Sequence, residues 1–213
     1  LLPLLALAAL VLWLSLTDGR GTQAAAPHTG GISYTTSDSE GRPATFTLAH
    51  APERVLVSYP GATELMIDLG LERRIIGTTA PYGKEPSAYA DAYAELPILA
   101  APYVPSREEV VALSPDLIIG WSHHFTPEAL GDVYSYFDHG VGAYIVPATV
   151  RRGAPTLEET VYPFIADMGH IFDAEDRAAD YIAALKARVA AVEDHTAVRG
   201  KRFSAMILQS HGN

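Results

Sequence analysis

Between Arg54 and Val146 the sequence repeats one pattern that leaves little choice of fold: a short apolar run, a turn-forming break, then a segment with helical spacing. Val55-Leu56-Val57-Ser58-Tyr59 is the first such run and Pro60-Gly61 ends it. Leu65, Met66 and Leu69 follow at helical spacing, closing at Gly70 and predicting a helix over 62–71. Ile75–Thr78, Leu117–Gly120 and Gly142–Val146 are further apolar runs. Ser106 and Glu109 form the ends of an S-x-x-E capping box, so a helix starts there and runs to the Ser114-Pro115-Asp116 break. Thr126-Pro127, with Thr as N-cap and Pro at the first helical position, predicts the next helix. Strands without polar faces, separated by helices, require a parallel sheet covered on both sides. The expected class is therefore α/β, a Rossmann-like lobe.

The flanks differ. Ile32-Ser33-Tyr34-Thr35-Thr36 and Ala44-Thr45-Phe46-Thr47-Leu48 surround Asp38-Ser39-Glu40-Gly41 and predict a β-hairpin. Thr156-x-x-Glu159 is a second capping box, leading a helix to about His170. From Asp173 to Val192 a longer helix is predicted, with Ala178, Ile182, Leu185 and Val189 at three- and four-residue steps. Lys201–Leu208 has the character of one more strand, with nothing in the chain to pair with it.

Leu1–Leu16 is almost unbroken apolar sequence, somewhat short of the roughly 20 residues a membrane span needs. The small residues Ala24-Ala25-Ala26 follow, the kind of site a signal peptidase cuts. Residues 1–26 therefore read as a signal peptide, with an uncleaved anchor as the alternative, and place the protein in the periplasm or outside the cell. Pro27 disfavours a cut directly before it and moves cleavage toward Ala24. The expected organisation is 1–26 leader, 27–53 linker and hairpin, 54–172 α/β lobe, 173–196 inter-lobe helix, and 197–213 the start of a truncated second lobe.

Composition removes several function classes. Fifteen Lys and Arg against 25 Asp and Glu give a formal charge of −10, and no basic run exists to follow a nucleic-acid backbone. The 213 residues contain no Cys, which excludes disulfides, thiol nucleophiles, Cys-ligated zinc and a lipidated Cys anchor.

Arg54-Val55-Leu56-Val57, then Gly61-Ala62-Thr63-Glu64-Leu65, Leu69-Gly70-Leu71 and Ile76-Gly77 occur in the order that opens the class III periplasmic binding proteins. Ser106 to Ile118, a helix ending in Leu-x-Pro-Asp before a buried strand, resembles the same family. The resemblance covers roughly Arg54 to Val192. It implies one lobe of a two-lobed receptor, which captures ferric siderophores, haem or cobalamin and delivers them to the membrane permease of an ABC importer. It also implies that Asp173–Val192 is the helix joining the lobes, that the receptor is a monomer without a cofactor of its own, and that Glu108 pairs with the permease. Locally, Glu108 suits the positive end of its helix dipole.

In open α/β sheets ligands bind beyond the carboxyl ends of the strands. That rule selects the loops carrying Tyr59, Tyr82, Tyr103, Trp121 and His123, where aromatic rings offer stacking area. Each ring taken singly also fits a roof over the sheet. By the resemblance, Trp121 stands where siderophore- and cobalamin-binding relatives place a ligand-contacting aromatic. Arg151 and Arg152 suit a bidentate clamp on a ligand carboxylate or catecholate, or equally a solvated pair. A ferric siderophore is the first choice of ligand. Backbone N–H groups at Pro60–Thr63 suggest either an anion site or a plain tight turn.

Two rivals remain. His123-His124 suggests a zinc or manganese receptor, although neighbours on a strand end point to opposite faces. Gly120-Trp121-Ser122-His123-His124 is one residue short of a G-x-S-x-G nucleophile elbow, because His124 replaces the last Gly, and suggests an exported α/β hydrolase.

Overall fold

The computed structural model describes residues 30–81, 88–101, 104–150 and 155–199. The leader 1–26, the predicted strand 201–208, and Tyr82, Tyr103, Arg151 and Arg152 lie outside the described residues.

β1 (Ile32–Ser37) and β2 (Pro43–Leu48) form the predicted antiparallel hairpin, in register from Ile32↔Leu48 to Ser37↔Pro43. Its turn is held by buried Asp38, whose carboxylate accepts the backbone N–H of Glu40 and Arg42. Four parallel strands then make the central sheet: β3 (Val55–Val57), β4 (Ile75–Thr78), β5 (Leu117–Gly120) and β6 (Gly142–Ile145), in the order β4-β3-β5-β6. β3, β5 and β6 are buried throughout, as strands covered on both faces must be.

β3 is shorter than the expected 55–59. Ser58 still donates its N–H to Ile119, but Tyr59 leaves the sheet to become the N-cap of α1 (Pro60–Asp68). The helix thus starts two residues before Ala62, because Pro60 at N1 presets a helical φ and has no N–H to strand. A short helix, α2 (Ala90–Ala94), follows β4 and was not foreseen. In α3 (Arg107–Leu113) the capping box is complete: Ser106 Oγ accepts the Glu109 N–H and Glu109 accepts the Ser106 N–H.

The helix expected from Thr126-Pro127 does not form. Ala129 and Gly131 donate back to the Thr126 carbonyl, Gly131 takes φ +92, and a 3-10 segment, Val133–His139, starts instead under an Asp132 cap. A left-handed Gly five residues in, followed at once by a new N-cap, terminates any helix begun at Thr126. The second capping box opens a π-type turn, Leu157–Val161, that runs into α4 (Tyr162–Ile171). The long helix is α5 (Glu175–Arg199), beginning two residues later than Asp173, which itself sits at φ +52, and extending past Val192. Gly169 lets α4 and α5 approach closely: a Cβ there would stand 2.6 Å from that of Ala178.

β4 lies on one side of β3 and β5 on the other, so right-handed crossovers put α1 and α3 on opposite faces. The core between these layers includes Met66, Leu69, Ile118, Ile119, Met168 and Phe172. No helix among the described residues is long and apolar enough to cross a membrane.

Candidate functional site

The strand order fixes where a ligand site belongs. The chain runs one way from β3 to β4 and the other way to β5, so the crevice between the carboxyl ends of β3 and β5 is the topological switch point. Ser58-Tyr59 leaves one of these ends and Trp121–His124 the other.

Tyr59, Trp121 and His123 come together there. The Tyr59 and Trp121 rings have centroids 5.0 Å apart at 55°, and His123 stands edge-on to Trp121 at 5.2 Å and 77°. Tyr59 and Trp121 are half-buried and His123 is exposed, so the cluster presents an open aromatic surface. The Trp121 indole Nε1 is itself buried and has no hydrogen-bond partner among the described residues. Tyr59 also folds over Gly61, where a Cβ would lie 2.6 Å from its ring. The Ala62 and Thr63 N–H groups both turn onto the Tyr59 carbonyl, which supports the tight turn and not the anion site.

Sequence reasoning missed the buried pair beneath this surface. Ser58 Oγ and His124 Nδ1 are 2.9 Å apart, with Ser58 fully buried and His124 3 % exposed. Burial, and then the neighbouring His123, lower the His124 pKa to about 4, so its imidazole is neutral. The partners are 66 positions apart, so no local motif could have revealed them.

A cleft of about 340 Å³ opens beside Tyr59, between α1, α4 and α5. Phe164 and Leu65 line it with the carboxylates of Glu64 and Asp68. Tyr89 and Tyr181 both donate to Asp68 Oδ2, at 2.9 and 2.6 Å. Burial, followed by the charge of Asp68, raises the Glu64 pKa. Glu108 lies apart from the aromatic cluster, exposed in the first turn of α3.

Neither rival reading gains support from the geometry. Among the described residues Ser122 does not meet a histidine: its hydroxyl donates to the Thr149 carbonyl at 2.9 Å, and its N–H to Thr149 Oγ1. Among those residues the nucleophile-elbow reading of Ser122 finds no base, its hydroxyl being committed to Thr149. His123 and His124 lie on a 3-10 turn, Ser122–His124, not on a strand end, which brings their rings to 4.4 Å but sends one outward and one inward. Among the described residues no group of three or more His, Asp or Glu is placed to hold a metal ion.

An open parallel lobe with an aromatic surface at its switch point is the architecture of an α/β ligand-binding lobe. The chain belongs to the periplasmic binding protein family, whose pattern it matches over residues 55–212. Among solved structures it is similar to a periplasmic binding protein from Veillonella parvula, at 24% identity and a TM-score of 0.70, covering 84% of this chain and 57% of that one. It is similar also to an ABC-type Fe3+-hydroxamate transport system from Saccharomonospora viridis (25% identity, TM-score 0.60, 76% and 56% covered). Staphylococcus aureus SirA complexed with staphyloferrin B shares the fold (20% identity, TM-score 0.57, 79% and 52% covered). The chain thus spans little more than half the length of these proteins. No curated protein matches it.

Proposed function

We propose that the protein is the substrate-binding component of an ABC importer and captures an iron-siderophore-type chelate for delivery to a membrane permease. The observation that carries this reading is the Tyr59–Trp121–His123 surface at the switch point of a periplasmic-binding-protein lobe. Open aromatic faces bind bulky planar or cyclic bodies with little loss of side-chain entropy. The iron-hydroxamate and staphyloferrin B proteins among its structural neighbours support a ferric chelate as the first ligand to test, with haem, bound by another neighbour, as the second. Tyr82, Tyr103, Arg151 and Arg152 would complete the surface and supply its cationic part. In this reading the leader 1–26 directs export to the periplasm, α5 connects the lobe to the other half of the cleft, Glu108 meets the permease, and the receptor works as a monomer.

The test is a tryptophan-fluorescence titration with ferric desferrioxamine B, ferric citrate, cobalamin, haemin and zinc chloride. Saturable quenching at micromolar ferric chelate is the expected result. Quenching by none of the chelates, together with tight zinc binding, would overturn the proposal in favour of a metal-ion receptor.

A further inference from the structure

The buried Ser58–His124 pair lies directly beneath Trp121 and is tied to it by several contacts. Ser58 N–H and Oγ both engage Ile119 on the neighbouring strand, at 2.9 and 3.2 Å, so the serine is fixed by the sheet. Its Oγ then meets His124 Nδ1, to which the Trp121 backbone N–H also points at 3.4 Å. The imidazole lies nearly parallel to the indole, with centroids 6.2 Å apart and planes 13° from each other. Backbone and ring of Trp121 are thus both referenced to one imidazole, and that imidazole to one serine.

The neighbouring sequence makes room for this arrangement. At Gly120 a Cβ would fall 2.5 Å from Ser58 Oγ, 3.2 Å from the Phe125 ring and 3.4 Å from His124 Nδ1. Any larger residue there would displace the serine hydroxyl. Phe125 closes the far side at 1 % exposure.

We infer that Ser58 and His124 are positioning residues, a buried pair that presets the Trp121 indole for ligand capture. The inference rests on the binding function proposed above. The pair spans the two central strands at their switch point, so it converts the rigidity of the sheet into the orientation of a ring on a loop. Holding a binding side chain in place before the ligand arrives lowers the ordering cost of association. The Trp121 N–H pointing at Nδ1 selects the tautomer with Nδ1 bare and the proton on Nε2. Nδ1 then accepts from the Ser58 hydroxyl at 2.9 Å as well as facing the Trp121 N–H, while the Ser58 N–H holds the serine to Ile119.

The experiment uses the full chain carrying Trp13→Phe, which leaves Trp121 as the single tryptophan. Ser58→Ala, His124→Leu and His124→Asn are compared by near-ultraviolet circular dichroism, acrylamide quenching and ferric desferrioxamine B titration, far below their unfolding temperatures. An asparagine amide can present either an acceptor or a donor where Nδ1 stood. Ser58→Ala and His124→Leu are expected to lose most of the Trp121 dichroic band, to raise acrylamide quenching about twofold, and to weaken the chelate about tenfold. His124→Asn should restore affinity to within about threefold of the parent. A purely structural pair would lower the unfolding temperature and leave the band and the affinity of the folded protein unchanged. That result in Ser58→Ala would overturn the inference. If the parent protein binds none of the chelates, the functional proposal fails while the dichroic and quenching comparison still decides whether the pair sets the ring.

Discussion

Gly120 and His124 make the carboxyl edge of β5 sensitive to single atoms. Adding one methyl at Gly120 brings it within 2.5 Å of a hydroxyl that is already bonded on two sides, so Gly120→Ala should cost about 1–3 kcal/mol as overpacking. A urea midpoint unchanged from wild type would show that the serine can move aside freely. The neutral state of His124 gives a second residue-level prediction. Its folded pKa, about 4, lies below the ordinary 6.5, so between these values the unfolded chain binds the extra proton. Stability from this group is therefore complete above pH 6.5 and is lost as pH falls toward 4. Urea unfolding at pH 7.5 and 4.5 checks it: His124→Asn should lose much less stability over that interval than wild type. Equal losses would assign the acid sensitivity to other groups. At the opposite end of the sheet, Asp116 accepts the Glu53 and Arg54 N–H groups while Arg54 caps the Leu113 and Ser114 carbonyls. The Leu-x-Pro-Asp motif that signals the family thus clamps α3 to β3 and lies far from the ligand edge.

At the scale of elements, the hairpin explains how β6 survives as an edge strand. Thr36 Oγ1 accepts the Ile145 N–H at 2.9 Å and donates to its carbonyl at 3.3 Å, and the Tyr34 hydroxyl donates to the Ala143 carbonyl. Two side chains of β1 do for β6 what another strand would do, which removes an open edge without extending the sheet. Thr36→Val keeps the shape but leaves the buried Ile145 N–H without its acceptor, so it should cost about 1–3 kcal/mol. Amide exchange at Ile145 should accelerate by more than the global change; a uniform change across the sheet would refute the edge role. Much of this architecture was legible in advance. Apolar runs gave the four sheet strands, alternation gave the hairpin, and S-x-x-E gave α3, because each signal is local. The failures also have local causes. Thr126-Pro127 carried a sound helix start, but Gly131 and Asp132 overrode it within two turns. α2 is only five residues long and offers no periodicity. The Ser58–His124 pair depends on β3 and β5 lying side by side, a fact of topology that no spacing encodes.

For the whole molecule, the strand order puts the two surfaces invoked by the proposed function on one rim. α3 runs back toward the start of β5, so its first turn, with Glu108, lies at the same end of the sheet as the Tyr59–Trp121 surface. A receptor that captures a ligand and hands it on must present both the ligand and its docking charges to the permease together, and one rim satisfies both needs. The two tasks are nevertheless separable, because Glu108 is exposed and makes no contact with the aromatic cluster, whereas Trp121 is embedded in it. Glu108→Ala should therefore bind ferric desferrioxamine B within twofold of wild type and lose at most about 1 kcal/mol from the helix dipole. Uptake of the radiolabelled iron chelate by cells carrying that substitution should fall severalfold, since rim charges set encounter rate and register in docking. Trp121→Ala should show the reverse order of effects, with chelate affinity falling about tenfold or more and uptake recovering at saturating chelate. If Glu108→Ala lowers affinity as much as uptake, or if Trp121→Ala leaves affinity intact, the division of the rim into a capture surface and a docking charge is wrong, and the carboxyl edge of the sheet serves one purpose only.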